Sequence, residues 1–112
     1  MDAFTENAHK LLKRVGAPRN SEWTEGYYSG YSNLSWSVIG ESLRVHYITS
    51  VKKGEKGFGI SCNTSFSVAE LSCLIDIKPL AAFLMKMIQD CDFNCEKQFR
   101  AMKEVDGPKA NN

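Results

Sequence analysis

The sequence predicts an α+β domain: an N-terminal helix, a three- to four-stranded antiparallel β-meander, then C-terminal helices packed on one face of the sheet. Three observations point there. Between Tyr31 and Cys62, apolar residues recur at every second position: Leu34, Trp36 and Val38, then Leu43, Val45 and Tyr47, then Phe58, Ile60 and Cys62. Such alternation gathers those side chains on one side of a pleated sheet. The flanking stretches instead repeat at three- and four-residue steps, the period of an amphipathic helix. Gly40-Glu41 and Gly54-Glu55-Lys56-Gly57 separate the runs, and a two-residue turn that begins with Gly is favoured in hairpins.

Asp2 to Val15 is the first predicted helix. Phe4, Ala8, Leu11, Leu12 and Val15 share a face. Asp2 and Glu6 stand early and Lys10, Lys13 and Arg14 late, which suits the helix dipole. Gly16 and Pro18 stop it. Phe4, Leu11, Leu12 and Val15 are expected on the sheet. Arg19 to Gly30 is expected as a loop or a poor edge strand, because Gly26 and Gly30 interrupt the strand-forming Trp23, Tyr27 and Tyr28. The meander follows, and Asn63-Thr64-Ser65 closes it.

Two patterns overlap from Phe66 to Ile77. Ser67 with Glu70 fits a capping box, followed by a helical stripe of Val68, Leu71, Leu74 and Ile75. Leu71, Cys73, Ile75 and Ile77 also alternate, as in a fourth strand. The helix formers Ala69, Glu70 and Leu71 favour the helix. Pro79 to Cys91 is the second main helix, with Leu80, Phe83, Leu84, Met87, Ile88 and Cys91 on a wide apolar stripe that roofs the sheet. Asp92-Phe93-Asn94 is a candidate break, after which Cys95, Phe99 and Met102 continue the pattern to about Val105. The pattern fits one helix or two. Gly107-Pro108 is expected to end it, which gives a single domain over 1–106 and a flexible tail over 107–112.

The chain has 112 residues, 43% of them hydrophobic, and a formal net charge of +1. That is enough for one domain with its own core. Near-neutral charge argues against a partner rich in phosphates. No secretory leader and no apolar run of bilayer length is visible, so a cytoplasmic protein with no membrane association is expected. Its four cysteines, Cys62, Cys73, Cys91 and Cys95, are then expected as reduced thiols.

Candidate chemistry is sparse. Cys91 and Cys95 share a helix face, but zinc cysteines pair at tighter spacing on loops. These cysteines sit at apolar positions and read as buried thiols, so no metal and no cofactor is expected. His9 and His46 have no Ser, Cys or Asp at a spacing that suggests a triad, and no nucleophile elbow occurs, so no catalytic residue is assigned. Gly54 to Gly59 is Gly-rich with Lys56, but a phosphate loop needs the lysine before Ser or Thr and then a helix. Ser67 to Lys86 has the spacing of a helix-turn-helix, yet Leu80, Ala81, Phe83 and Leu84 would occupy the base-reading positions.

The strongest interaction signal is compositional. Trp23, Tyr27, Tyr28, Tyr31 and Trp36 lie among Ser29, Gly30, Ser32, Asn33, Ser35 and Ser37. Tyr and Trp among Ser, Gly and Asn is the palette of binding loops and interface hot spots. Arg44, Lys52, Lys53 and Lys56 add a local basic knob suited to an acidic surface. Trp23, Tyr27, Tyr28, Tyr31, Arg44, Lys52, Lys53 and Lys56 are therefore the expected partner-binding residues. The function expected is a small non-enzymatic protein-binding module, an inhibitor, immunity-type or adaptor protein, a profile common among proteins of phages and mobile elements. A homodimer through a sheet edge is a further expectation. The alternatives are a nucleic-acid-binding domain, disfavoured by charge, and a small enzyme or ligand-binding domain with a pocket between sheet and helices.

Overall fold

The computed structural model describes residues 2–110, with side chains through Val105. The order of elements is α1 (Ala3–Val15), β1 (Arg19–Glu25), β2 (Tyr28–Ile39), β3 (Ser42–Lys53), β4 (Lys56–Ser67), α2 (Val68–Ser72) and α3 (Lys78–Ala110). The four strands form one antiparallel sheet in the order β1-β2-β3-β4, so the α+β meander is as expected. All three hairpins use the same turn. Gly26, Gly40 and Gly54 lead two-residue loops with φ of 61°, 61° and 58°, a region that glycine enters without steric penalty. Gly26, expected as an interruption, is therefore the pivot that folds Arg19–Glu25 back on β2.

Helix α1 is capped at both ends. The Asp2 carboxylate accepts from the Thr5 N–H at 2.7 Å, which holds the Asp2 carboxyl below its ordinary pKa. Gly16, with φ 81°, closes the C-terminus on the carbonyls of Leu12 and Lys13. Ser67 and Glu70 form the reciprocal capping box of α2. The strand alternative for Phe66 to Ile77 is thus excluded, and the fourth strand is β1 instead. Helix α3 runs unbroken through Asp92-Phe93-Asn94 for 33 residues. Three polar or aromatic residues do not stop a helix that has neither Gly nor Pro at that point. Its backbone continues past Gly107-Pro108 to Ala110. The tail expected over 107–112 otherwise lies outside the described residues.

Register assigns the faces. Leu34 lies opposite Tyr47, and Tyr47 opposite Cys62. Leu34, Leu43, Val45, Tyr47, Val51 and Phe66 are buried on this face. Leu84, Ile88 and Cys91 of α3 cover it, joined at one end by Leu11, Leu12 and Val15 of α1 and Leu71 of α2. The Asn7 amide donates to the Leu71 carbonyl at 2.6 Å, which ties α1 to α2. Tyr47 is the polar anchor of the roof. Its hydroxyl donates to the Asp92 carboxylate of α3 at 2.5 Å, and Arg19 lies 5.9 Å from its ring centroid.

The far end is closed by an aromatic clasp. Phe99 of α3 meets Trp23 and Tyr28 edge to face, with centroids 5.2 and 5.3 Å apart. Lys103 extends this stack, 4.7 Å from the Phe99 centroid. The clasp requires Gly30. A Cβ there would lie 2.0 Å from the Trp23 indole nitrogen, so the indole lies flat across the cross-strand glycine. Twelve-residue strands and the long α3 make an elongated molecule of 63 × 21 × 18 Å.

Candidate functional site: the uncovered face and the free end of β2

The residues expected to form one binding surface are divided by the register. Trp23 and Tyr28 point to the helix-covered face and pack on Phe99. Much of their apolar area is spent inside the fold, with Trp23 left 38% exposed. Tyr27 stands at the tip of the first hairpin, 82% exposed. Lys53 and Lys56 flank the Gly54-Glu55 turn as a cross-strand pair. Only Tyr31, Arg44 and Lys52 of the expected set share the uncovered face, since each is paired across strands with residues of that parity.

That uncovered face is built from small polar residues in cross-strand rows. One row is Ser35, His46 and Asn63; the next is Ser37, Arg44 and Ser65. Together with Ile39 these rows line an open concavity of about 750 Å³. Its hydroxyl and amide groups donate and accept hydrogen bonds, and its charge comes from Arg44. No carboxylate is among its lining residues, so His46 has no acidic orienting partner there of the kind a catalytic dyad uses. A smaller hollow of about 320 Å³ at the other end of the face is lined by Glu22, Thr24, Tyr31 and Lys52, among others.

The larger hollow borders a feature that sequence reading missed. Strand β1 pairs with β2 only over Tyr28 to Leu34. Among the described residues, β2 from Ser35 to Ile39 has β3 on one side and no strand on the other. Along this free edge Trp36, Val38 and Ile39 are 40%, 50% and 52% exposed. Neighbouring exposed apolar side chains on an unpaired strand are the usual mark of an interaction site. The signal was present in the lengths: the run after Gly30 is longer than the run that pairs with it.

Cys91 and Cys95 are buried and Cys62 half-buried, whereas Cys73, expected as a buried thiol, is exposed just past α2. Burial, then the Cys91 thiol beside it, then Asp92, hold the Cys62 thiol well above its ordinary pKa. Burial raises Cys95 in the same direction. Buried, protonated thiols are poor nucleophiles. Among the described residues, no cluster of three or more His, Cys, Asp or Glu side chains is arranged to hold a metal ion, and no helix is long and apolar enough to cross a membrane.

No family model, no curated protein and no solved structure matches the chain.

Proposed function

We propose that the protein is a non-enzymatic protein-binding module that captures an extended segment of its partner along the free end of β2. The observation that carries this is the Ser35–Ile39 edge, which among the described residues has no strand on its outer side and bears Trp36, Val38 and Ile39 exposed. A strand added there would gain main-chain hydrogen bonds, while alternate side chains meet different surfaces. On the covered-face side it meets Trp36 and Val38. On the other side it meets the hollow of Ser35, Ser37, Arg44 and His46. The matching partner alternates apolar residues with polar or acidic ones, the acidic group set against Arg44.

The test is capture from cells of the native source after mild cross-linking, with three baits: the wild-type chain, Trp36→Asp/Arg44→Glu, and Phe93→Ser on the solvent side of α3. The expected result is a discrete protein held by wild type and by Phe93→Ser and lost from the double variant. An identical set of captured proteins for all three baits overturns the proposal. No binding to generic nucleic acid is expected even at low salt, where phosphate contacts are strongest.

Self-association is a second reading, favoured by the outer strand. β4 is 12 residues long, has Lys56 as its single charged residue and contains no proline. Beside it Phe83, in edge-to-face contact with Phe66, stays half exposed. Such edges pair readily with a second copy. Sedimentation of wild type and Ser61→Pro decides it: a dimer is expected for wild type only, and a wild-type monomer at high concentration removes it.

A further inference from the structure

We infer that Cys62 and Cys91 are an oxidative modification site, a thiol pair that closes to a disulfide joining β4 to α3. The two Sγ atoms lie 2.7 Å apart. A formed bond is ~2.05 Å long, so the sulfurs are already closer than unbonded atoms pack. Both sit where the fold holds them. Cys62 is on the covered face of β4, opposite Tyr47. Cys91 is on the buried stripe of α3 with Leu84 and Ile88. The Cys62 thiol also reaches the Met87 carbonyl, one turn earlier in α3, at 4.0 Å, which sets this length of helix directly over the strand.

The other two cysteines are placed differently. Cys95, one turn beyond Cys91, is buried and hydrogen-bonds with the Thr49 side chain. Cys91 and Cys95 stand on one helix, so a bond between them would constrain only a single turn. Cys73 is exposed after α2. The Cys62–Cys91 pair instead spans 29 residues of chain, and closing a loop of that size restricts the unfolded ensemble and stabilises the fold.

The chemistry balances with a low-molecular-weight disulfide as oxidant. The Cys62 thiolate attacks one sulfur of oxidised glutathione and expels the first glutathione thiolate. The Cys91 thiolate then attacks the Cys62 sulfur of the mixed disulfide and expels the second. The protein loses two protons and two electrons, and two glutathione thiols carry them away. Because the Cys62 thiol is held well above its ordinary pKa and Cys91 is buried in the native fold, the exchange is slow there, and equilibrium rather than rate is the fair measurement.

The full chain in a Cys73→Ser background is reduced, unfolded and refolded in buffers of oxidised and reduced glutathione. It is then quenched by alkylation and mapped by mass spectrometry. The expected product has lost two hydrogens, carries Cys62 and Cys91 in one linked peptide pair, and leaves Cys95 alkylated. The link is expected at least about tenfold further toward disulfide than in an unstructured peptide with the same two cysteines. Its melting temperature should exceed that of the reduced chain and fall back on reduction. Cys95→Ala should form the same link. Three alkylated cysteines, a Cys95-containing bond, or glutathione adducts in place of the link overturns the inference. The mapping of the Cys73→Ser chain decides this even if Cys95→Ala fails to fold.

Discussion

Strand β2 passes through two environments. From Tyr28 to Leu34 it has β1 on one side and β3 on the other, and Leu34 is fully buried. From Ser35 to Ile39 it has β3 alone, and its apolar residues stay about half exposed. The alternation of side chains is the same through both halves. What differs is how far the neighbouring elements reach. β1 ends opposite Leu34 because α1 and the Gly16 to Pro18 corner precede Arg19. The apolar pattern thus continues for five residues beyond the material that covers it. An alternating pattern reports which side chains share a face, but not whether anything lies on that face.

Four substitutions break or sharpen this contrast. Leu34→Ala, in the enclosed half, should be the most severe, at about 2–5 kcal/mol of unfolding free energy, since it opens a cavity among fully buried neighbours. Urea denaturation with an unchanged slope would measure it. Gly30→Ala should follow at roughly 1–3 kcal/mol, because the new methyl displaces the Trp23 indole and loosens its contact with Phe99. A shift in tryptophan fluorescence should accompany the loss, and unchanged emission would contradict the clasp.

Tyr47→Phe should cost about 1 kcal/mol, the usual worth of one hydrogen bond, and should change the response to alkali. Burial, then the hydrogen bond and charge of Asp92, lift the Tyr47 hydroxyl from 10.0 to about 12 in the folded protein. A raised value means that the folded state holds the proton more tightly than the unfolded chain. That contribution is complete below pH 10 and is lost as pH rises toward 12. Wild type should therefore lose more stability than Tyr47→Phe across that window, and parallel curves would refute the assignment. Ile39→Ser, in the open half, should be mildest, within about 0.5 kcal/mol. A calorimetric loss as large as that of Leu34→Ala would mean that the free end is enclosed after all.

Much of this fold was legible. The alternation around Leu34, Leu43 and Val45, the stop at Gly16, the Gly40-Glu41 turn and the Ser67–Glu70 box each rest on local backbone physics, and local physics is written in short stretches. Arg19–Glu25 is the edge strand that was one of the two expected readings, but its hairpin was missed because Gly26 looks the same whether it interrupts a strand or turns a hairpin. The distinction depends on whether a partner of the right length follows. The site was less legible. Parity alone places Tyr28 with Gly30 and Leu34, on the covered face, and so separates it from Tyr31. Composition, which groups residues by neighbourhood in the chain, ignores that rule. The free end of β2 and the closeness of Cys62 to Cys91 depend on where strands stop and where a helix crosses them, which no local pattern encodes.

The elongation of the molecule has a further consequence. Its accessible surface is 7459 Å², whereas a compact monomer of 12.6 kDa would present ~6,200 Å². The excess exceeds the ~800 Å² that each protein contributes to a standard complex. A rod pays for its length in skin, and a partner laid along its side could remove that surplus from water without asking the chain to refold.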